Sequence, residues 1–500
     1  MVFSSKTYGV ANHHQHLFLE KADGGKEKDA EGAVAPTPAG EDSKAPESNT
    51  TTTTSNDETP STTTSAATPA PPPAGNGLGV YVAAAFLVAE MSGSGVLALP
   101  RALASTGWAG LPLMAVLCLA VGFAGTRLGM CWVLLEHRWP QYRAPCRQPY
   151  PAIARRALGI PGQWVVVVAQ TLTLVGVTAV VLILTGDLLA SLATPLLSPC
   201  LCTGVVACLL LPASWLATPK DFWFVSVAGV VVTVLQCVVV VVTTALEGTP
   251  SPDPSITTNT TFTNTTNTTI TIYPFYTSPS LSSFFLGFGT ILFSFGGAST
   301  FPTIQNDMED RTRFPVSVTI AFLVLLALYM PVSGVGYGVF GVHVPSNILL
   351  AVSGAAVTTV RVFLFVHLLF AFIILLNPVA QGAEELLGVP HAFGWRRCAV
   401  RSLLVAVEVV VSLLVPDFQA VLNLVGGSTI ALMSFVLPPL CYLRLSDAPD
   451  DSGRPHRVVG AWERVALWGV AVVGVAGGLV TTYTAASVLA SPAVQQRSCF

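Results

Sequence analysis

Polar residues fill the first 74 positions of the chain, and beyond them it becomes a series of long apolar runs. The polar stretch holds Thr, Ser, Pro, Ala, Lys and Glu without apolar periodicity, and runs such as Thr50 to Thr54 mark it as disordered. It contains no apolar core of signal-peptide type, so the first spanning helix is expected to insert uncleaved. From Gly79 onward, about eleven runs are long enough to cross a bilayer. They fall at about 79–100, 108–135, 163–194, 200–217, 222–246, 281–305, 316–341, 356–386, 398–415, 419–443 and 464–489, with ends loose by several residues. This pattern predicts an all-α polytopic membrane protein. A tail over 1–74 precedes a membrane domain over 75–490.

Two of the runs are interrupted by small residues at matching places. The first reads Ala89-Glu90-Met91-Ser92-Gly93-Ser94-Gly95-Val96-Leu97 and the sixth reads Phe293-Ser294-Phe295-Gly296-Gly297-Ala298-Ser299-Thr300. A spanning helix broken at mid-depth exposes backbone N–H and C=O groups that lipid cannot satisfy, so breaks are tolerated where they line a cavity or bind something. Segments one to five cover about 79–246 and six to ten about 281–443, nearly equal lengths, with the eleventh at about 464–489. An odd number of spans per half makes the second half inverted relative to the first. Paired breaks in such halves point to a substrate site.

Charge sets an orientation. The loops of one side collect Arg138, Arg143, Arg155, Arg156, Lys220, Arg311, Arg313, Arg396, Arg397, Arg401 and Arg457 among others, while the opposite side holds little beyond Arg101, Arg361 and Arg497. The positive-inside rule then puts the N-terminal tail in the cytosol. The loop over about 248–280 would face outside or a lumen, and it carries three N-x-T sequons, at Asn259, Asn264 and Asn267. All three are expected to be glycosylated.

Composition agrees: 52% of residues are hydrophobic and 10% charged, against about 25% charged in soluble domains. A net charge of −3 gives no reason to expect a nucleic-acid partner. The sequence shows no HExxH, no GxxxxGK[ST] and no GxSxG. A membrane enzyme would need paired acid–base groups, which the scattered Glu90, His367 and Glu408 do not supply. The ten Cys are scattered; Cys200 and Cys202 fall in a turn on the outer side and could be oxidised.

Chemistry concentrates at the breaks. Gly93 and Gly95 allow unusual dihedrals and close ligand approach. The helix resuming near Val96 would aim free N–H groups at a carboxylate. Ser92, Gly93, Ser94 and Gly95 on one side, and Phe295, Gly296, Gly297 and Ser299 on the other, are therefore the candidate substrate-binding residues. Glu90, an ionisable group beside the first break, and His367 in the eighth run are candidate proton carriers. Arg127 and Glu408 are candidates for interhelical pairs. Gly125 and Gly129 read as a packing GxxxG. The Gln305-to-Arg311 stretch is either a solvated helix end or a gate on the inner side.

The run Gly93-Ser94-Gly95-Val96-Leu97-Ala98-Leu99-Pro100 resembles the first-helix motif of the amino acid/auxin permease family. Phe295-Gly296-Gly297 followed by Phe301-Pro302-Thr303-Ile304-Gln305-Asn306-Asp307-Met308 is similar to that family's sixth-helix motif, and Asn377-Pro378-Val379 with Glu384-Glu385-Leu386 to its eighth-helix end. The resemblance covers the chain from about Gly79 to the last helix. It implies a leucine-transporter-like fold of eleven helices, a 5+5 inverted repeat plus one, and secondary transport of amino acids. It also implies that Ser94 and Gly95 N–H groups meet the substrate carboxylate, and that the Phe295-to-Ser299 turn meets the amino group and side chain. Sodium-coupled members carry an Asn where this chain has Ala89, which offers Na⁺ no side-chain oxygen. The expectation is a symporter of small neutral amino acids driven by H⁺, with Na⁺ coupling through backbone carbonyls and a sensor without net transport as alternatives. No cofactor beyond a coupling ion is expected, and the expected partners are the amino acid and the lipid bilayer. The membrane is the plasma membrane or an endolysosomal or vacuolar one. The sequence is silent on oligomeric state.

Overall fold

The computed structural model of the protein describes residues 77–500, apart from 145, 147, 194–197, 216–222, 248–278, 391–392, 416, 450–456, 493–498 and 500. The tail and the three sequons at Asn259, Asn264 and Asn267 therefore lie outside the described residues.

The described residues are almost wholly helical. The first apolar run is split into α1 (Val80–Met91) and α2 (Gly95–Thr106), and the sixth into α7 (Leu281–Ser294) and α8 (Phe301–Asn306). Between and after them run α3 (Gly110–Arg138), α4 (Pro149–Ala193), α5 (Pro199–Ser214), α6 (Trp223–Glu247), α9 (Phe314–Phe340), α10 (Ala355–Leu386) and α11 (Trp395–Leu414). The tenth run is α12 (Phe418–Val425), ten residues of π-type winding with one residue between two turns, and α13 (Leu437–Asp447); α14 (Ala461–Leu489) closes the series. Among the described residues seven helical stretches are long and apolar enough to cross a membrane unaided.

Three expectations need correction. The first run extends to Thr106 rather than about 100, because Pro100 sits inside α2 without ending it. The third run starts at Pro149 rather than about 163. Gly159 takes φ 77°, and the chain turns there and winds on through Pro161, so a breaker cluster became a kink. Arg397 and Arg401 lie inside α11 rather than in a loop, buried against Glu384 of α10. Arg401 Nε is 2.5 Å from Glu384 Oε1, and its Nη1 donates to the Ser214 carbonyl at 2.9 Å.

Helices pack through small residues. A Cβ on Gly125 would meet Phe301 Cε2 at 2.7 Å, and one on Gly129 would meet Phe314 Cδ1 at 2.5 Å. The GxxxG is thus the groove in which α8 and α9 lie against α3. Arg127 pairs with Glu463 of α14 at 2.9 Å and stacks over the Phe123 ring. Cys200, at the start of α5, forms a disulfide with Cys499.

Candidate functional site

The two breaks meet. A Cβ on Gly95 would lie 2.8 Å from the Ser294 Cα, so α2 can start beside the last turn of α7 only without a side chain there. Gly297 plays the same part in reverse: its Cβ would lie 2.9 Å from Met91 Cγ. Gly296 is covered by Ile430 of the π-wound stretch, whose Cδ1 would stand 2.6 Å away. None of Gly93, Gly95, Gly296 and Gly297 has a positive φ. What glycine supplies at the breaks is close approach and not an unusual dihedral, which corrects half of the sequence argument. Gly93 is looser, with Leu368 Cδ2 of α10 at 3.8 Å from its Cβ position.

Each half-helix that stops at a break leaves carbonyls without intrahelical partners. Tyr329 of α9 answers both. Its hydroxyl lies 3.0 Å from the Met91 carbonyl and 3.2 Å from the Ser294 carbonyl, the last residues of α1 and α7. Nothing in the sequence singled Tyr329 out; one aromatic in an apolar run reads as core. Phe295 is fully buried, packed on Tyr329 (5.3 Å between ring centroids) and Phe322 (6.2 Å). Ser299 is buried, and its carbonyl accepts from Gln170 of α4 at 2.9 Å.

The first break is fastened on its other side. Ser92 and Thr233 of α6 share a hydrogen bond of 3.0 Å. One turn away on α6, a Cβ on Gly229 would meet both the His367 Cε1, at 2.5 Å, and the Ala89 Cβ, at 3.4 Å. The structure thus brings His367 of α10 to the helix turn that carries Glu90. Gln236, three residues beyond Thr233 and on the same face of α6, is buried with neither amide atom bonded. Burying a bare amide costs about 1–3 kcal/mol, so Gln236 is a candidate to meet a polar group at the break.

Glu90 is half-buried, and the Thr300 hydroxyl lies 2.6 and 2.5 Å from its two carboxyl oxygens. Ser94, the residue preceding α2, makes no side-chain cap bond, so the first N–H groups of α2 keep their capacity for an anion.

In the Gln305-to-Arg311 stretch the charged Asp307, Glu309 and Asp310 are exposed, while Gln305 and Asn306 are buried and tied to neighbouring elements. Gln305 is buried and donates to the Gly129 and Arg311 carbonyls at 2.9 Å each, and Arg311 pairs with Glu136 of α3. Leu78, just before α1, forms a parallel bridge with Met308, just after α8.

A helical membrane protein with two abutting broken helices has the architecture of a transporter, and comparison with known proteins agrees. Residues 77–486 match the family model described as transmembrane amino acid transporter protein, and the chain belongs to that family. Among its relatives is the amino acid transporter AVT1D of Arabidopsis thaliana, 27% identical over 80% of this chain and 68% of that protein. Another is AVT1J of the same plant, 25% identical over 79% and 88%. Among solved structures, MhsT in complex with L-phenylalanine aligns at a TM-score of 0.50 with 11% identity, covering 80% of this chain and 98% of that one. The manganese transporter of Eremococcus coleocola aligns at 0.51 with 14% identity, covering 83% and 88%. At these identities the likeness is one of fold.

Proposed function

We propose that this chain is a secondary active transporter of small neutral amino acids, coupled to protons, working by alternating access around the α1–α2 and α7–α8 breaks. The observation that carries the reading is the meeting of the breaks, with Gly95 against Ser294 and one Tyr329 hydroxyl serving both half-helix ends. In this reading the N–H groups of Ser94 and Gly95, where α2 begins, take the substrate carboxylate. The Phe295-to-Ser299 turn takes the ammonium, and Gln236 faces a polar part of the substrate. Neutral side chains fit because the two breaks offer one acid, Glu90, and no base.

Glu90 is the proposed proton carrier, with His367 behind it. The contact to Thr300 links the residue before one break to a residue after the other, so protonation would be felt by both half-helices. Ala89 beside it supports protons over sodium, since it offers no side-chain oxygen. The Gln305-to-Arg311 closure acts as the inner gate.

The proposed orientation puts the tail in the cytosol and the Cys200 end of α5 outside or in a lumen. The disulfide supports it, because such bonds persist on the oxidising side. Plasma membrane and endolysosomal or vacuolar membrane both satisfy that condition. Glycosylation of Asn259, Asn264 and Asn267 belongs to the same proposal.

The test is uptake of a panel of radiolabelled amino acids into proteoliposomes, with proton and sodium gradients imposed in turn. Accumulation under the proton gradient alone is expected. Accumulation that needs sodium would overturn the coupling, and binding without flux in folded protein would make the chain a sensor.

A further inference from the structure

The buried face of α11 is polar along most of its length. Arg397, Arg401, Val405, Glu408 and Ser412 recur at helical spacing and are buried, while Leu403, Val407, Val410 and Leu414 are exposed. At one end the charges are matched, Arg401 and Arg397 lying 2.5 and 3.4 Å from Glu384. Two turns further, Glu408 has no cation paired with it among the described residues. It is 2% exposed; its Oε1 lies 2.7 Å from the Thr178 Oγ1 of α4, and its Oε2 has no hydrogen-bond partner. Ser412, one turn on and 1% exposed, also has a hydroxyl without a partner.

The Thr178 hydroxyl has one proton and three acceptors in reach: Glu408 Oε1, and the Leu174 and Val175 carbonyls at 2.9 Å each. Bonding of the hydroxyl back to its own helix is the common state of a helical Thr. The 2.7 Å contact then needs Glu408 to be the donor. A bare carboxylate here would be a buried charge without a counter-ion, a costly arrangement. The ionisable groups on the helices packed against α11 are Tyr150, Arg155, Arg156 and Asp187 on α4, the Cys202 and Cys208 thiols on α5, and Arg361, His367, Glu384 and Glu385 on α10. α11 itself adds Arg396, Arg397, Cys398 and Arg401. None makes an ion pair with Glu408 among the described residues.

We propose that Glu408 is a proton-binding site, separate from the broken-helix site. The carboxylic acid donates from Oε1 to Thr178 Oγ1. When the proton leaves to water, the Thr178 hydroxyl turns from the helix carbonyl to the carboxylate, and the Ser412 hydroxyl one turn away supplies a second donor. The site stands on α4 about two turns from Gln170, which holds the Ser299 carbonyl at 2.9 Å. It does not depend on the transport reading.

Infrared difference spectroscopy of the purified full chain in lipid nanodiscs tests this, stepping pH and exchanging H₂O for D₂O. The wild type should give a protonated-carboxyl band that grows on acidification and shifts on deuteration. Glu408→Gln should lose that band, and Glu90→Gln should keep it. Thr178→Val, which removes the acceptor and keeps the branched shape, should move the band to higher frequency. A band unchanged in Glu408→Gln, or one that neither titrates nor exchanges in the wild type, overturns the proposal. If Glu408→Gln does not fold, the presence or absence of the Thr178→Val shift decides.

Discussion

Glu90 and Thr300 stand on opposite sides of the two breaks, one residue before the end of α1 and one before the start of α8, and a 2.5 Å contact joins them. Such a bond must be remade if the half-helices move apart. Glu90→Gln keeps a group that can meet the Thr300 oxygen and removes the titratable proton. Its uptake should lose most of its dependence on external pH while protein yield stays unchanged. Thr300→Val should instead keep a pH dependence and shift it. A Glu90→Gln profile that overlays the wild type would reassign the coupling.

Steric contrast between two neighbouring glycines gives a second prediction. Gly95 has backbone of α7 at 2.8 Å from its Cβ position, whereas Gly93 has a flexible leucine tip at 3.8 Å. Gly95→Leu should abolish uptake while the protein still reaches the membrane. Overpacking of this kind costs about 1–3 kcal/mol, which a folded membrane domain can survive. Gly93→Ala should retain substantial uptake, measured side by side in the same vesicles.

Tyr329→Phe keeps the ring against Phe295 and removes the hydroxyl from the Met91 and Ser294 carbonyls. Losing that bond should lower stability by about 1–3 kcal/mol, since both carbonyls are left buried. A thermal melt in detergent reads it as a drop of several degrees. An unchanged melt would mean that water already serves those carbonyls.

Gln236→Leu tests recognition. If the bare amide meets a polar part of the substrate, the variant should lose polar substrates about tenfold relative to apolar ones, the equivalent of about 1.4 kcal/mol. A competition series of serine, glutamine, alanine and leucine gives the ratio. A parallel loss for all four would assign Gln236 to packing.

Helix number and order could be read from the sequence because lipid imposes length and apolarity on each span. The breaks were legible because Gly and Ser clusters are rare in such runs. Tyr329 and Gln236 were not legible: one Tyr or one Gln in an apolar helix looks the same facing a break or facing core. The Cys200–Cys499 pairing was hidden for another reason, since 299 positions separate two residues that only the finished bundle brings together. Glu408 was legible as an intramembrane acid and a candidate for an interhelical pair, but that its partner is a hydroxyl on α4 was not.

That disulfide changes what kind of object the chain is. With residues 200 and 499 joined, everything from α5 to α14 is a closed covalent loop, including both halves of the second broken helix. A single cut by a protease anywhere within it leaves one connected molecule, and two pieces separate only after reduction. The same cut before Cys200 releases a fragment at once. The first three apolar runs are thus the only part of the bundle that hangs on a single thread.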